Sequence, residues 1–188
     1  MFFHGYTQRG EAMRPLAEAL SERLPDAAFV FNDAPLTAGP GRSWYNFRGD
    51  DSAATKEAAR AAAAELVSRL SNSMRIPPSK IVTVGFSQGG GIAAQAATCI
   101  TPGATAFVSL AGVIEAVCSE TGEVSPDGLI VWNEGDTTVN RERIDAGIAS
   151  LEAAGHEPKL ETYAGDGHWP VEPALASAVD FIVAQLGG

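Results

Sequence analysis

A serine lies between two glycines at the point where a β-branched run gives way to a run of small residues. The segment Gly85-Phe86-Ser87-Gln88-Gly89 follows KIVTV and precedes GGIAAQAA. A Gly-x-Ser-x-Gly pattern between a strand and a helix predicts a tight turn that presents the serine hydroxyl for nucleophilic attack. The glycines lack Cβ atoms, so the strand and the helix can approach closely. We therefore predict that Ser87 is a nucleophile; the alternative is a glycine turn that happens to contain serine.

A nucleophilic serine needs a base, and the chain has three histidines. His168, in GDGHWP, follows the last apolar run and comes after Ser87, which fits the order Ser, then Asp or Glu, then His. His4 precedes the serine in the chain. His156 precedes a predicted strand, so we expect it to be a surface loop residue at the opposite edge of the sheet. We predict that His168 is the base.

The base in turn needs an acid that orients it. The segment VWNEGDTTVN offers Glu134 and Asp136. We favour Asp136, because it lies just past the strand and a glycine before it can bend the backbone; Glu134 stays open as the alternative. Asp166 is close to His168 in the sequence, and a turn-forming role explains it.

An acyl-transfer site also needs two donors for the oxygen that becomes negative. The backbone N–H of the residue after the nucleophile, Gln88, is one candidate. The other is the N–H of Tyr6, in the loop HGYTQRG after the first strand. Gly5 permits a sharp turn there, and we expect His4 to fix this loop by hydrogen bonding.

Apolar runs alternate with helical patterns along the chain. The runs that predict strands are 1–3, 28–31, 80–84, 105–110, 129–133 and 159–163. The patterns that predict helices are approximately 10–23, 52–74, 88–99, 139–154 and 172–186. This alternation predicts βαβ units, hence an α/β fold with a mostly parallel sheet of about six strands and helices on both faces. Ligands bind such sheets beyond the carboxyl ends of the strands, where His4, Ser87, Asp136 and His168 all follow strands. At 188 residues, we expect one domain over 1–188.

The composition limits the partners of the protein. The net charge is −10, and such a surface repels nucleic acid and anionic lipid. No apolar run reaches the roughly 18 residues of a membrane helix, and the first residues lack the pattern of a signal peptide. The two cysteines, Cys99 and Cys118, are then expected to be reduced thiols in a cytoplasmic protein. We expect no nucleic acid, no stable membrane insertion, no metal and no cofactor.

The motifs together resemble a known family. In chain order, FFHGYTQRG, NDAPLT, SWYNF, IPPSKIVTVGFSQGGGIAAQAA, SLAGVI, NEGDTTVN and GDGHWP are similar to landmarks of the phospholipase/carboxylesterase family of α/β-hydrolases, which includes acyl-protein thioesterases. The resemblance covers nearly the whole chain, and GFSQGG with IPPSKI is its most specific part. It implies the α/β-hydrolase fold, a Ser87–Asp136–His168 triad, an oxyanion hole of Tyr6 and Gln88, and cofactor-free hydrolysis of small-molecule esters.

The chain departs from the family at three places. The family usually has His-Gly-x-Gly-Asp in the first loop, where this chain has His4-Gly5-Tyr6-Thr7-Gln8. After Asp136 the family tends to have Pro and a Val pair, where this chain has Thr137-Thr138-Val139. Strands that the family has before the His-Gly loop are absent, so we expect a shortened N-terminus.

Two long connections are expected to set the substrate choice. Residues 33–50 carry Trp44, Tyr45 and Phe47, and residues 111–127 carry Val113 and Ile114. An aromatic-lined cleft would suit an acyl or aryl group, although these side chains would equally serve to pin the loops to the core. Trp169, next to His168, either shields the base or packs structurally. No large lid is evident, so we expect short to medium acyl chains.

The leading functional hypothesis is a serine carboxylesterase, as a monomer or homodimer. Acyl-thioesterase or lysophospholipase activity on the same triad is the alternative within that class. A non-catalytic relative that binds a ligand or peptide is the alternative outside it. A dienelactone-hydrolase-like enzyme typically has Cys where this chain has Ser87, and no His-x-x-x-His or Cys-x-x-Cys motif favours a metal hydrolase.

Overall fold

Within the residues that the structure describes, the main sheet has six strands and is accompanied by a separate two-stranded hairpin. The computed structural model describes residues 1–46, 53–100, 103–115, 117–118 and 125–187. The strands are β1 (Phe2–Phe3), β2 (Phe31–Asn32), β3 (Leu36–Ala38), β4 (Gly41–Ser43), β5 (Val82–Phe86), β6 (Ala106–Leu110), β7 (Asp127–Gly135) and β8 (Lys159–Asp166). The α-helices are α1 (Arg14–Arg23), α2 (Ala53–Met74), α3 (Gln88–Thr98), α4 (Arg141–Ala153) and α5 (Glu172–Leu186).

The six strands lie in the order β2-β1-β5-β6-β7-β8, and each adjacent pair is parallel. Every residue of the central strands β5 and β6 is buried. Such strands contact helices on both faces of the sheet, which is why their sequences are continuous apolar runs rather than alternating ones. The predicted α/β-hydrolase fold with about six parallel strands is confirmed.

The helices cover both faces of this sheet, as predicted. The first and last helices, α1 and α5, pack against each other, and α2 packs against α3. Small residues line α3, all of which is buried, so it can lie close to β5 and β6. None of the described helices is both long enough and apolar enough to span a lipid bilayer.

Two elements differ from the sequence-based prediction near the N-terminus. The strand expected at 28–31 is observed as β2, at Phe31–Asn32. Its partner β1 has only two residues, Phe2 and Phe3, because the chain leaves the sheet at His4. The β3–β4 hairpin was not predicted; its strands have three residues each, too few to leave a recognisable period in the sequence.

The expectation of two reduced cysteines is wrong. Cys99, just after α3, and Cys118, in the connection between β6 and β7, form a disulfide across a sequence separation of 19, with a Cα–Cα distance of 5.0 Å. The sequence spacing gave no sign of this proximity, since it arises where the connection folds back over the end of α3. The disulfide ties α3 to the connection that carries Val113.

Replacing Cys118 by Ser should lower the free energy of unfolding by about 3 kcal/mol, because a loop of this length gains that much entropy when the cross-link is lost. Cys118 is exposed, so the serine itself adds little strain. Urea denaturation with and without reductant measures the effect. Reductant should destabilise the wild type and leave Cys118→Ser unchanged; equal wild-type stability in both conditions would contradict the prediction.

His156 is buried, with 2% of its surface exposed, and is not the surface residue expected from the sequence. Its ring bonds the hydroxyl of Ser125 at 2.9 Å and the carbonyl oxygen of Cys118 at 2.8 Å. The position before β8 places it away from Ser87, as predicted, but the same β6–β7 connection covers it. His156 therefore anchors the connection that the disulfide also holds.

Candidate active site

Ser87 occupies the turn between β5 and α3. Its backbone has φ 54° and ψ −119°, in the left-handed range of φ that non-glycine residues rarely adopt. A Cβ atom at Gly85 would overlap with the carbonyl of Gly89, and one at Gly89 would overlap with the carbonyl of Phe3. The two glycines are therefore required by close backbone approach, and the turn that they permit holds the Ser87 side chain partly exposed.

Ser87, His168 and Asp136 form one chain of hydrogen bonds although they are far apart in the sequence. The Nε2 atom of His168 lies 2.8 Å from Oγ of Ser87. The Nδ1 atom of the same ring lies 2.7 Å from Oδ2 of Asp136. The three predicted residues thus lie together at the carboxyl ends of β5, β7 and β8.

The carboxylate of Asp136 is held in a fixed orientation. Its side chain is fully buried, and Oδ1 accepts the backbone N–H groups of Thr138 at 2.7 Å and Val139 at 3.0 Å. Oδ2 is left to face His168. Glu134, the other acid that the sequence left open, is exposed, and its side chain makes no hydrogen bond or ion pair with the described residues. Because Oδ1 is held by two backbone N–H groups, Oδ2 is fixed as the acceptor for Nδ1 of His168.

Asn133, at the end of β7, holds the loop that carries His168. Its amide nitrogen donates to the carbonyl oxygens of Gly167, at 3.1 Å, and Trp169, at 2.8 Å. The side chain is 1% exposed, and its oxygen accepts from the N–H of Val171 at 3.4 Å. Sequence reasoning missed this residue; the available signal was a single amide directly after the apolar run 129–132.

His4 anchors the loop after β1 through both ring nitrogens. Nε2 accepts the backbone N–H of Ala34 at 3.0 Å, so Nδ1 carries the proton and donates to the carbonyl oxygen of Gly5 at 2.7 Å. The indole N–H of Trp44 donates to the His4 carbonyl at 2.8 Å. Burial lowers the pKa of His4 from its ordinary 6.5. The ring therefore stays neutral at pH 7.

Protonation of His4 should make stability depend on pH. Since its folded pKa lies below 6.5, the unfolded chain binds the proton more readily, and the free energy of unfolding should fall as pH drops from 6.5 towards the folded pKa. Urea denaturation at intervals from pH 7.5 to 5 measures this slope, which reaches at most about 1.4 kcal/mol per pH unit for one proton. In His4→Gln the slope should be smaller; an identical slope in both proteins would rule out His4 as its source.

The loop after β1 keeps its shape without the glycine and aspartate that the family usually has there. Thr7 adopts φ 63°, a conformation that favours glycine. The side-chain oxygen of Gln8 accepts the backbone N–H of Gly5 at 2.9 Å. The backbone N–H of Thr7 donates to the carbonyl of Arg42 in the β3–β4 hairpin at 2.9 Å. Gln8 and the unpredicted hairpin thus hold the segment that contains Tyr6.

Gln88 has two distinct parts. Its backbone N–H begins α3, where N–H groups have no acceptor within the helix and carry partial positive charge. Its buried side chain accepts from the N–H of Trp44 at 2.9 Å and donates to the carbonyl of Tyr45 at 3.1 Å. The side chain therefore fixes the connection that brings Tyr45 to the site, which the sequence did not indicate.

A cavity of about 340 Å³ opens beside Ser87 and His168. Its lining residues are Tyr6, Thr7, Gln8, Tyr45, Phe86, Ser87, Gln88, Val113, Thr138, Val139, Arg143 and His168. Both predicted oxyanion donors, Tyr6 and Gln88, are thus among the lining residues. The described residues contain no group of three or more His, Cys, Asp or Glu side chains placed to hold a metal ion.

Only part of the predicted substrate contact set lines this cavity. Tyr45 and Val113 do. Trp44, with 5% of its surface exposed, packs instead against the rings of Phe3 and His4.

The remaining predictions for substrate contacts divide in the same way. Ile114 is 3% exposed and lies where a Cβ of Gly147 would touch it, so it is a core residue. Trp169 packs edge-on against Phe86, with ring centroids 4.7 Å apart, outside the cavity lining. Phe47 lies outside the described residues. Aromatic composition alone did not separate side chains that face the cavity from those that face the core.

A family model described as Phospholipase/Carboxylesterase matches residues 1–185 of the chain. The search of curated protein sequences found no match to the chain. The fold is similar to solved structures of low sequence identity. Esterase PE8 has a TM-score of 0.84 at 23% identity, with 98% of this chain and 91% of that chain covered. SOBER1 from Arabidopsis thaliana has a TM-score of 0.78 at 20% identity, covering 98% and 97%. The Bacillus cereus carboxylesterase has a TM-score of 0.82 at 14% identity, covering 98% and 86%.

Proposed function

The chain belongs to the phospholipase/carboxylesterase family, and on this premise we propose that it is a serine carboxylesterase acting on short- to medium-chain carboxylic esters. One observation carries the proposal. The Ser87 hydroxyl, the His168 ring and the Asp136 carboxylate are linked by hydrogen bonds of 2.8 and 2.7 Å, beside a cavity open to small molecules. A nucleophile, a base and an orienting acid in this arrangement are what acyl transfer requires.

In the proposed first step, Oγ of Ser87 attacks the ester carbonyl while Nε2 of His168 takes the hydroxyl proton. Asp136 keeps Nδ1 protonated and stabilises the positive ring that results. The backbone N–H groups of Tyr6 and Gln88 are proposed to stabilise the tetrahedral oxyanion. Each such donor contributes on the order of 10²–10³ in rate.

The second half of the reaction uses the same groups. His168 gives its proton to the leaving alcohol, and the C–O bond to that alcohol breaks to leave an acyl-Ser87 ester. Water then enters, His168 takes its proton, and the acid is released with the Ser87 hydroxyl restored. The sequence of steps is balanced without a cofactor.

The cavity supports small substrates. A volume of about 340 Å³ is near the lower end for ligand pockets, and apolar surface from Tyr45, Phe86 and Val113 suits a short acyl chain.

The oligomeric state, monomer or homodimer, stays a prediction, and so does a cytoplasmic location. The Cys99–Cys118 disulfide weighs against the cytoplasmic location, since disulfides persist mainly in oxidising compartments.

The test of the proposed function compares wild type and Ser87→Ala on two series of acyl chains of increasing length, 4-nitrophenyl esters and thioesters. Wild-type turnover of short esters that the variant lacks supports the proposal. Faster turnover of the thioesters would assign acyl-thioesterase activity to the same residues. Absence of turnover and of an initial burst of 4-nitrophenol from the folded wild type would overturn the proposal and favour a non-catalytic binding protein.

A further inference from the structure

Arg143 lies at the cavity beside Ser87 and was not singled out by its sequence pattern. It is exposed, on the first turn of α4, and lines the cavity together with Thr138 and Val139. The remaining lining residues contain no Asp, Glu, Lys or Arg. Among the described residues that line the cavity, Arg143 therefore contributes the one fixed formal charge. This charge is positive in a chain of net charge −10.

The guanidinium of Arg143 has no acidic partner in the described residues. Its backbone N–H donates to the side-chain oxygen and to the carbonyl oxygen of Asn140, each at 3.1 Å. The residues three and four positions away in the chain are Val139 and Asn140, which precede α4, and Ala146 and Gly147 within it; none of them is charged. Neighbouring Arg141 differs, because Asp145 four residues on pairs with it at 2.7 Å. The same helical turn thus neutralises one arginine and leaves the other available at the cavity.

We propose that Arg143 binds a carboxylate of the substrate. The preferred substrates are then small esters that also carry an ionised carboxylate, such as monoesters of dicarboxylic acids. This inference rests on the proposed esterase function. A guanidinium suits this task, because it stays charged and presents paired N–H donors that match the two oxygens of a carboxylate. The other described residues that line the cavity include no acidic side chain that would compete for the guanidinium or repel the ligand.

The test is a comparison of kcat/KM for charged and neutral esters of similar length. The first pair is the 4-nitrophenyl monoester of glutaric acid and 4-nitrophenyl valerate. This pair places the carboxylate on the acyl side. The second pair is 4-acetoxybenzoate and methyl 4-acetoxybenzoate, in which release of acetate is measured. This pair places the carboxylate on the alcohol side. Each protein gives a charged-to-neutral ratio, and comparing this ratio between proteins cancels the intrinsic reactivity of the esters.

In Arg143→Ala the ratio should fall about three- to tenfold for one of the two pairs, the size expected for an ion pair that water still reaches. Arg143→Glu should lower it further. Arg141→Ala is the matched control and should leave both ratios within about twofold. Raising the salt concentration should reduce the wild-type ratio and leave that of Arg143→Ala nearly constant.

The outcomes separate the two hypotheses. If wild type hydrolyses the neutral esters and Ser87→Ala does not, while both ratios are the same in wild type and Arg143→Ala, the esterase function stands and the role of Arg143 is overturned. An equal fall of the ratio in Arg141→Ala would also overturn it, because general surface charge would then explain the effect. A wild type that hydrolyses neither class of ester would overturn the proposed function and the role of Arg143 with it.

Discussion

Replacing Ser87 by Ala should lower kcat for 4-nitrophenyl acetate by about 10⁴- to 10⁶-fold, the usual cost of losing a nucleophile that acts as a unit with its base. The hydroxyl lies 2.8 Å from His168 and is the single atom group that the substitution removes. Alanine keeps the Cβ atom at a backbone φ of 54°, so the turn is expected to fold as before. The loss therefore measures chemistry and not folding.

Initial rates at saturating ester give kcat, and circular dichroism with thermal denaturation verifies that the variant is folded. Ser73→Ala is the matched control, since Ser73 is exposed on α2 and bonds only its own helix. Its kcat should equal that of the wild type. Equal rates for Ser87→Ala and the wild type would mean that the activity arises elsewhere in the protein or from a contaminant.

Asp136→Asn should lower kcat/KM by on the order of 10⁴-fold, with little change in fold. The Asn oxygen can still accept from Thr138 and Val139, whose N–H groups fix that side of the carboxylate. The amide nitrogen then faces Nδ1 of His168 and favours the tautomer with its proton on Nε2. A ring in that form cannot accept the proton of Ser87.

Glu134→Gln provides the matched control for Asp136→Asn, because it makes the same chemical change two residues earlier. Glu134 is exposed at the end of β7, and we expect kcat/KM to change less than about twofold. Both variants and the wild type are compared at the same pH, 7.5 being suitable, with the same ester. A larger loss in Glu134→Gln than in Asp136→Asn would transfer the orienting role to Glu134.

The position of Ser87 could be predicted because its signal is local. A strand, a glycine-flanked serine and a helix follow one another within about twenty residues, and each leaves its own spacing in the sequence. The order of Ser87, Asp136 and His168, with the rule that parallel strands end at one edge, placed all three on the same side of the sheet. The family resemblance agreed with this placement.

Local patterns did not decide which of several similar side chains faces the site. Trp44 and Tyr45 are adjacent aromatics, yet the first packs on His4 and the second lines the cavity. The choice follows from the side chain of Gln88, which bonds the backbone of both residues from another element. No periodicity within 33–50 contains that information.

The sequence by itself determined the parallel α/β sheet, because burial of strands on both faces and of helices on one leaves distinct apolar periods. It also indicated the serine turn and the edge where its partners lie. Only the tertiary structure decided the Cys99–Cys118 disulfide, the burial of His156, the bonds that orient Asp136 and the exposure of Arg143 at the cavity. These depend on contacts between segments remote in the chain, and such contacts are fixed by the packing of the whole fold.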